Sequence, residues 1–162
     1  MASEAAVVPS SVLSGRVLRP RPTEVFHYTC SHARKAIGRK GHLVPLRSLV
    51  GEVAYRESDE FSRWMASRVW MTTLGSVVVP GRLGMVMSDY RCNRMEVRYR
   101  VAAEGLSSLV PWEVERMSWP AALVEAVEGS GGGLADVATW YVSTGAVPVV
   151  LDVPARSWAD LR

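Results

Sequence analysis

The chain has 162 residues, 48 % of them hydrophobic and 22 % charged, with a formal net charge of +3. That length fits one domain able to bury roughly two-thirds of its unfolded surface, and the composition excludes a disordered chain. No apolar run approaches the ~20 residues that cross a bilayer, and two cysteines, Cys30 and Cys92, support neither a disulfide scaffold nor a CxxC metal site.

Residues 1–23 form a leader rich in proline, serine and arginine, and residues 24–162 are expected to be a single domain. The leader lacks a basic n-region and does not read as a secretory signal, so reduced thiols and a cytoplasmic location are the expectation. The β-rich run Glu24 to Thr29 predicts the first strand. Ser31 is a plausible cap for a short helix through Ile37, ended by Gly38 or Gly41, and residues 42–46 suit another short strand. In residues 58–67 Phe61, Trp64 and Met65 fall at i, i+3 and i+4, which predicts a helix; residues 68–74 then read as a strand. Pro80, Gly81 and Gly84 make residues 77–87 a bent strand or loop.

The clearest alternation in the chain is Met95, Val97, Tyr99 and Val101 against Glu96, Arg98 and Arg100, a half-buried strand with one charged face. Residues 118–128 predict a helix with Ser118 as cap, Pro120 in the first turn and Leu123, Val124 and Val127 as its apolar stripe. The run 129–133 is expected to be a flexible joint, because no GK[ST] follows it. Residues 137–142 and 146–153 close the chain as strands around Ser143, Thr144 and Gly145. The fold class implied is α+β, a strongly bent, mainly antiparallel sheet with a few short helices.

The positive charge is clustered: Arg16, Arg19 and Arg21; Arg34, Lys35, Arg39 and Lys40; Arg91, Arg94, Arg98 and Arg100. Nearly all of it is guanidinium, which suits bidentate phosphate contact. Arg98 and Arg100 share one strand face, with Arg91 and Arg94 leading into it, so these four arginines are the candidate surface for single-stranded DNA or RNA. Solvated arginines paired with acids are the competing reading. His27, His32 and His42 lack metal-ligand spacing and a nearby carboxylate, so no metal is expected. A Cys30–His42 nucleophilic pair is conceivable, and Ser143 lacks the GxSxG elbow of serine hydrolases.

Two strands carry the most informative chemistry: Val25-Phe26-His27-Tyr28-Thr29 and Val69-Trp70-Met71-Thr72-Thr73. A histidine in such a run either finds partners in a core or faces a cleft. With the late stretch Trp140 to Val149, the order of these segments resembles the ADP-ribosyltransferase superfamily, in particular its small DNA-modifying toxins and the RNA 2′-phosphotransferases. The resemblance covers residues 24–46, 68–74 and 137–150. It implies a split β-sandwich holding NAD as substrate in a cleft and transfer of ADP-ribose to a nucleic acid or nucleotide-like acceptor. His27 would bind the nicotinamide-side ribose and, with Thr72, would be catalytic; Tyr28, Thr29, Trp70, Thr73 and Tyr141 would line the NAD site. The family's late catalytic glutamate has no counterpart here: Thr139 stands roughly at its position, and Asp136 lies three residues earlier. A catalytically inactive module that recognises NAD, ADP-ribose or a nucleic-acid end is therefore the second expectation. An unrelated basic α+β interaction protein is the third.

Overall fold

The computed structural model describes residues 19–46, 56, 58–75, 79–84 and 94–153. In chain order these form β1 (Glu24–Thr29), α1 (Ser31–Lys40), β2 (His42–Leu43), α2 (Glu60–Ala66), β3 (Val69–Thr72), β4 (Val97–Ala102), β5 (Leu109–Pro111), α3 (Trp112–Glu115), α4 (Ala121–Glu128), β6 (Trp140–Ser143), β7 (Val147–Pro148) and β8 (Val150–Val153). Six strands make one sheet in the order β5-β6-β3-β1-β4-β8, and β2 pairs with β7 in a second ribbon. Every pairing is antiparallel. The architecture is the expected α+β class with a mainly antiparallel sheet.

The period-two alternation of each strand divides its side chains between two cores. On one face Val25, Val69, Met71, Val101 and Tyr141 pack together, closed by Leu43 and Val147 from the small ribbon. On the other Trp140 and Val142 pack against Trp112, Trp119, Val124 and Val127, with Trp64 and Trp70 at the border. Five tryptophans thus meet in one cluster; Trp64 and Trp119 lie 4.8 Å apart between ring centroids, Trp70 and Trp112 5.1 Å. Indoles bring large apolar area but each carries an N–H that needs an acceptor when buried. Trp112 donates to Glu128 (2.9 Å), Trp119 to Glu115 (3.1 Å), Trp70 to the Met65 carbonyl (3.2 Å) and Trp140 to the Arg82 carbonyl (3.4 Å). Arg68 closes the group: its guanidinium bonds Glu115 at 2.6 Å and lies 5.8 Å from the Trp64 and Trp119 ring centres.

Several boundaries shift from the sequence reading for identifiable reasons. The cap of α1 is Cys30, and Ser31 is its first residue; the helix runs past Gly38 to a left-handed Gly41, whose N–H bonds the Ile37 carbonyl at 2.8 Å. The strand 95–101 begins only at Val97, since Met95 lies in a turn. Pro120 caps α4, whereas Ser118 belongs to a preceding 3₁₀ turn. The strand 137–142 starts at Trp140, after a 3₁₀ turn over Val137–Thr139. Strand 146–153 is divided into β7 and β8, and strand 42–46 ends at Leu43. Within 77–87 the described residues Pro80–Leu83 form a 3₁₀ turn; the remainder of that segment lies outside the described residues, as do residues 1–18 of the leader.

The expectation of a flexible joint at 129–133 is corrected. Ser130–Gly133 is a 3₁₀ turn whose buried Gly131 packs directly on the Pro80–Leu83 turn. A Cβ on Gly131 would sit 2.5 Å from the Gly81 carbonyl oxygen, so backbone meets backbone with no room for a side chain. Gly131 and Gly132 both hold positive φ (73° and 68°), but a Cβ on Gly132 meets only open space. Gly132→Ala should therefore cost about 1 kcal/mol of left-handed strain, and Gly131→Ala about 3 kcal/mol or more from strain plus clash. Urea denaturation of the two variants checks this; equal losses would mean that the crossing of the two turns is loose.

Candidate functional site

The sheet is not continuous across its centre. β1 and β4 pair over six residues, from Glu24 opposite Ala102 to Thr29 opposite Val97, whereas β1 and β3 share only Phe26 opposite Thr72. Beyond that pair the strands part, and a cavity of about 80 Å³ opens between them, lined by Phe26, His27, Tyr28, Trp70, Met71 and Thr72, with Leu83 and Trp140. Consecutive residues of a strand point to opposite sheet faces, yet three in a row from each strand line this space. The cavity therefore sits in the parting itself, as a wedge through the sheet.

Where a ladder stops, each backbone carbonyl needs another donor. His27 supplies one, its Nδ1 lying 2.8 Å from the Trp70 carbonyl oxygen. Because a carbonyl only accepts, that ring nitrogen carries the proton, and in the neutral ring Nε2 is left as an acceptor. Burial pushes the His27 pKa down; the Trp70 carbonyl opposes this, and the nearby Arg94 guanidinium lowers it further. The imidazole is neutral at physiological pH.

Tyr28 stands on the opposite face and braces the wedge. Its hydroxyl donates to the Leu74 carbonyl (2.8 Å) and receives a hydrogen bond from Arg98. Burial raises the Tyr28 pKa, with Arg98 acting against it. Arg98 in turn pairs with Asp152 at 2.5 Å and lies 5.0 Å over the Phe26 ring. A chain of contacts thus runs from β8 through β4 and β1 to the segment after β3. That segment folds tightly over Phe26, since a Cβ on Gly75 would lie 2.5 Å from the ring.

Thr72 is buried and its hydroxyl is committed. It donates to Thr139 Oγ1 (2.9 Å) and accepts from the Leu74 N–H (3.1 Å), while Thr139 donates onward to the Asp136 carbonyl (2.7 Å). The Asp136 carboxylate bonds Arg82 at 2.6 Å, and its N–H bonds the Arg82 carbonyl at 2.9 Å. These bonds hold Leu83 and Trp140 against the wedge. Among the described residues no carboxylate lines it.

Of the residues expected at the site, His27, Tyr28, Trp70 and Thr72 come together. Thr29 is buried opposite Val97 and does not line the wedge; Thr73 is exposed, its N–H bonding the Thr139 carbonyl at 2.9 Å. Tyr141 lies in the core around Val25 and Met71, its pKa raised by burial and by Glu113. Phe26, Met71, Leu83 and Trp140 line the wedge without having been expected there. Phe26 sits within the strand already singled out, and Gly75 was the local signal that something packs on it. Of the four arginines proposed for nucleic acid, Arg98 is consumed by Asp152, Tyr28 and Phe26. Arg100 is half exposed with Glu24 3.8 Å away, Arg94 lies near His27, and Arg91 falls outside the described residues.

Among the described residues no three His, Cys, Asp or Glu side chains gather to hold a metal ion, and no helix is long and apolar enough to cross a membrane. No family model, curated protein or solved structure matches the chain.

The His27 environment has a consequence for stability. The unfolded ring takes up a proton near pH 6.5, while the folded ring resists it to lower pH. Acidification through that interval therefore favours unfolding, and above it His27 contributes no slope. His27→Asn should flatten the stability loss between about pH 7 and pH 5, measured by denaturant unfolding. An unchanged slope would mean that the ring titrates as freely as in the unfolded chain.

Proposed function

We propose that the chain recognises a nicotinamide nucleotide, NAD in the first instance, placing its flat ring end in the wedge between β1 and β3. The observation that carries this reading is the orientation of His27 in an aromatic slot. One ring nitrogen is tied to the Trp70 carbonyl, which leaves the other as an acceptor, and the ring borders a cavity that Phe26, Tyr28, Trp70 and Trp140 also line. A ribose hydroxyl is a suitable donor to Nε2, and an aromatic amide ring suits the apolar walls. The volume sets the scale: 80 Å³ is about half of the ~150 Å³ that encloses a benzene ring, so the wedge would take one edge of a flat ring and leave the rest of the ring and of the dinucleotide outside. The ribose, pyrophosphate and adenosine would lie along the outer surface.

Transfer of ADP-ribose to a nucleic acid is the second reading, favoured by one specific arrangement. The three segments that resemble ADP-ribosyltransferases, carried here by β1, β3 and β6, are adjacent strands in the order β6-β3-β1. Cleaving the nicotinamide–ribose bond builds positive charge on the ribose and calls for a group that stabilises it. The nearest candidates from the sequence, Asp136 and Thr139, are bonded to Arg82 and to the Thr72 relay. Recognition without transfer is therefore the better supported of the two.

Calorimetric titration with NAD, run beside a chromatographic assay for released nicotinamide, separates them. Recognition predicts saturable binding without release, weakened about tenfold or more by His27→Ala, the loss of one hydrogen bond worth ~1.5 kcal/mol. Release that depends on His27 would establish the transferase. Absence of NAD binding by a folded chain would remove both readings.

A further inference from the structure

We propose that α1 and the edge of β8 form a binding groove for single-stranded nucleic acid, distinct from the wedge and from the arginine face of β4. The inference stands whether or not the wedge takes NAD.

The groove has a volume of about 580 Å³ and runs between α1 and residues Val149 to Leu151, with Tyr99 at its floor. Its helical wall is one face of α1: Ser31, Arg34, Lys35 and Gly38 follow one another at i, i+3, i+4 and i+7. Arg39 and Lys40 continue the positive charge beyond the groove, and α1 contains no acidic residue. Among the described residues none of these four cations has a carboxylate partner. Glu96, at the start of the helix, is already engaged, accepting from the Ser31 N–H at 2.7 Å. The contrast with β4 is direct, because Arg98 there is bonded to Asp152 and Arg100 faces Glu24.

The helix is also unusually exposed. It has no buried residue, and only Ala33 and Ile37 are half-buried. Folding of this chain does not need so many cations on a helix that packs so little. A second observation is independent of charge. Gly38 sits in the helix interior, where glycine is less favourable than alanine by about 1 kcal/mol. A Cβ there would meet nothing within 4 Å. No neighbour in the fold excludes a side chain at Gly38, so the backbone of this wall is open to an occupant of the groove.

An occupant with several regularly spaced negative charges and flat apolar faces matches these features. Phosphates would sit at Arg34 and Lys35, and an unstacked base would rest on Ile37 and Leu151. Bases of a duplex are stacked away from such a slot, whereas those of a single strand are free to enter it. A concave slot also fits a strand better than the flat surface of a bilayer.

The test is fluorescence anisotropy with a labelled oligothymidylate of roughly 12 nucleotides, repeated from about 50 to 200 mM salt. Three variants are compared with the wild type: Arg34→Gln/Lys35→Gln, Gly38→Ala and Arg100→Gln. Loss of two phosphate contacts should weaken binding about tenfold or more and reduce the log–log salt slope by about 1.4. Arg100→Gln should leave both unchanged. Gly38→Ala should raise the thermal midpoint and still weaken binding severalfold, opposite signs that a purely structural role for Gly38 does not produce. Oligonucleotide binding that is absent from the wild type, or equal in the Arg34/Lys35 variant, overturns the proposal. So does a preference of the same cations for phosphatidylserine vesicles over the oligonucleotide.

Discussion

The account depends on one hydrogen bond, from the His27 imidazole to the Trp70 carbonyl. A carbonyl at the end of a ladder must find a donor, and a peptide N–H from β1 would have closed the two strands together. A side-chain donor satisfies the same oxygen from farther away and leaves space between the backbones. The bond also fixes which ring nitrogen is protonated, and hence what the other nitrogen offers to a ligand. Strand parting, the choice of tautomer and the polar edge of the cavity all follow from this interaction, while burial keeps the ring neutral against it.

The parting is tolerable because each strand beside it is held from its outer side. β3 is paired over four residues with β6, which pairs in turn with β5, and five tryptophans pack against that half of the sheet. β1 is paired along its whole length with β4, and β4 with β8. The sheet is thus two three-stranded halves joined at Phe26 and Thr72. Tyr28, Arg98 and Asp152 tie the halves on one face, and the Thr72–Thr139 relay fixes the end of β3 to the turn before β6. The cavity width is set by these ties rather than by a continuous ladder.

Much of this was legible in the sequence, and the rest was not for physical reasons. The strands around His27 and Trp70 announced themselves through β-branched and aromatic residues, and the alternation from Val97 to Val101 gave both the strand and its charged face. Strand β5 was missed because three residues, Leu109 to Pro111, carry no period, and Pro111 argues against a strand. The tryptophan cluster joins Trp64, Trp70, Trp112, Trp119 and Trp140, and pairwise contact at such separations has no local signature. The partners of the arginines were out of reach for the same reason. Period two places Arg98 and Arg100 on one face, but only the fold brings Asp152 onto Arg98 and gives the cations of α1 no carboxylate partner among the described residues. Glycines misled as well: 129–133 reads as a joint, yet Gly131 is needed where two backbones touch.

The central claim is that the wedge receives a nucleotide's ring end with His27 Nε2 as its acceptor. Nitrogen-15 NMR of the histidine rings during titration with NAD tests it most directly. The account predicts a saturable shift of the His27 Nε2 resonance as it accepts a hydrogen bond, an unchanged protonated Nδ1, and a concurrent shift of the Trp70 indole N–H. Shifts confined to other residues, with His27 and Trp70 unmoved at saturating NAD, would contradict it.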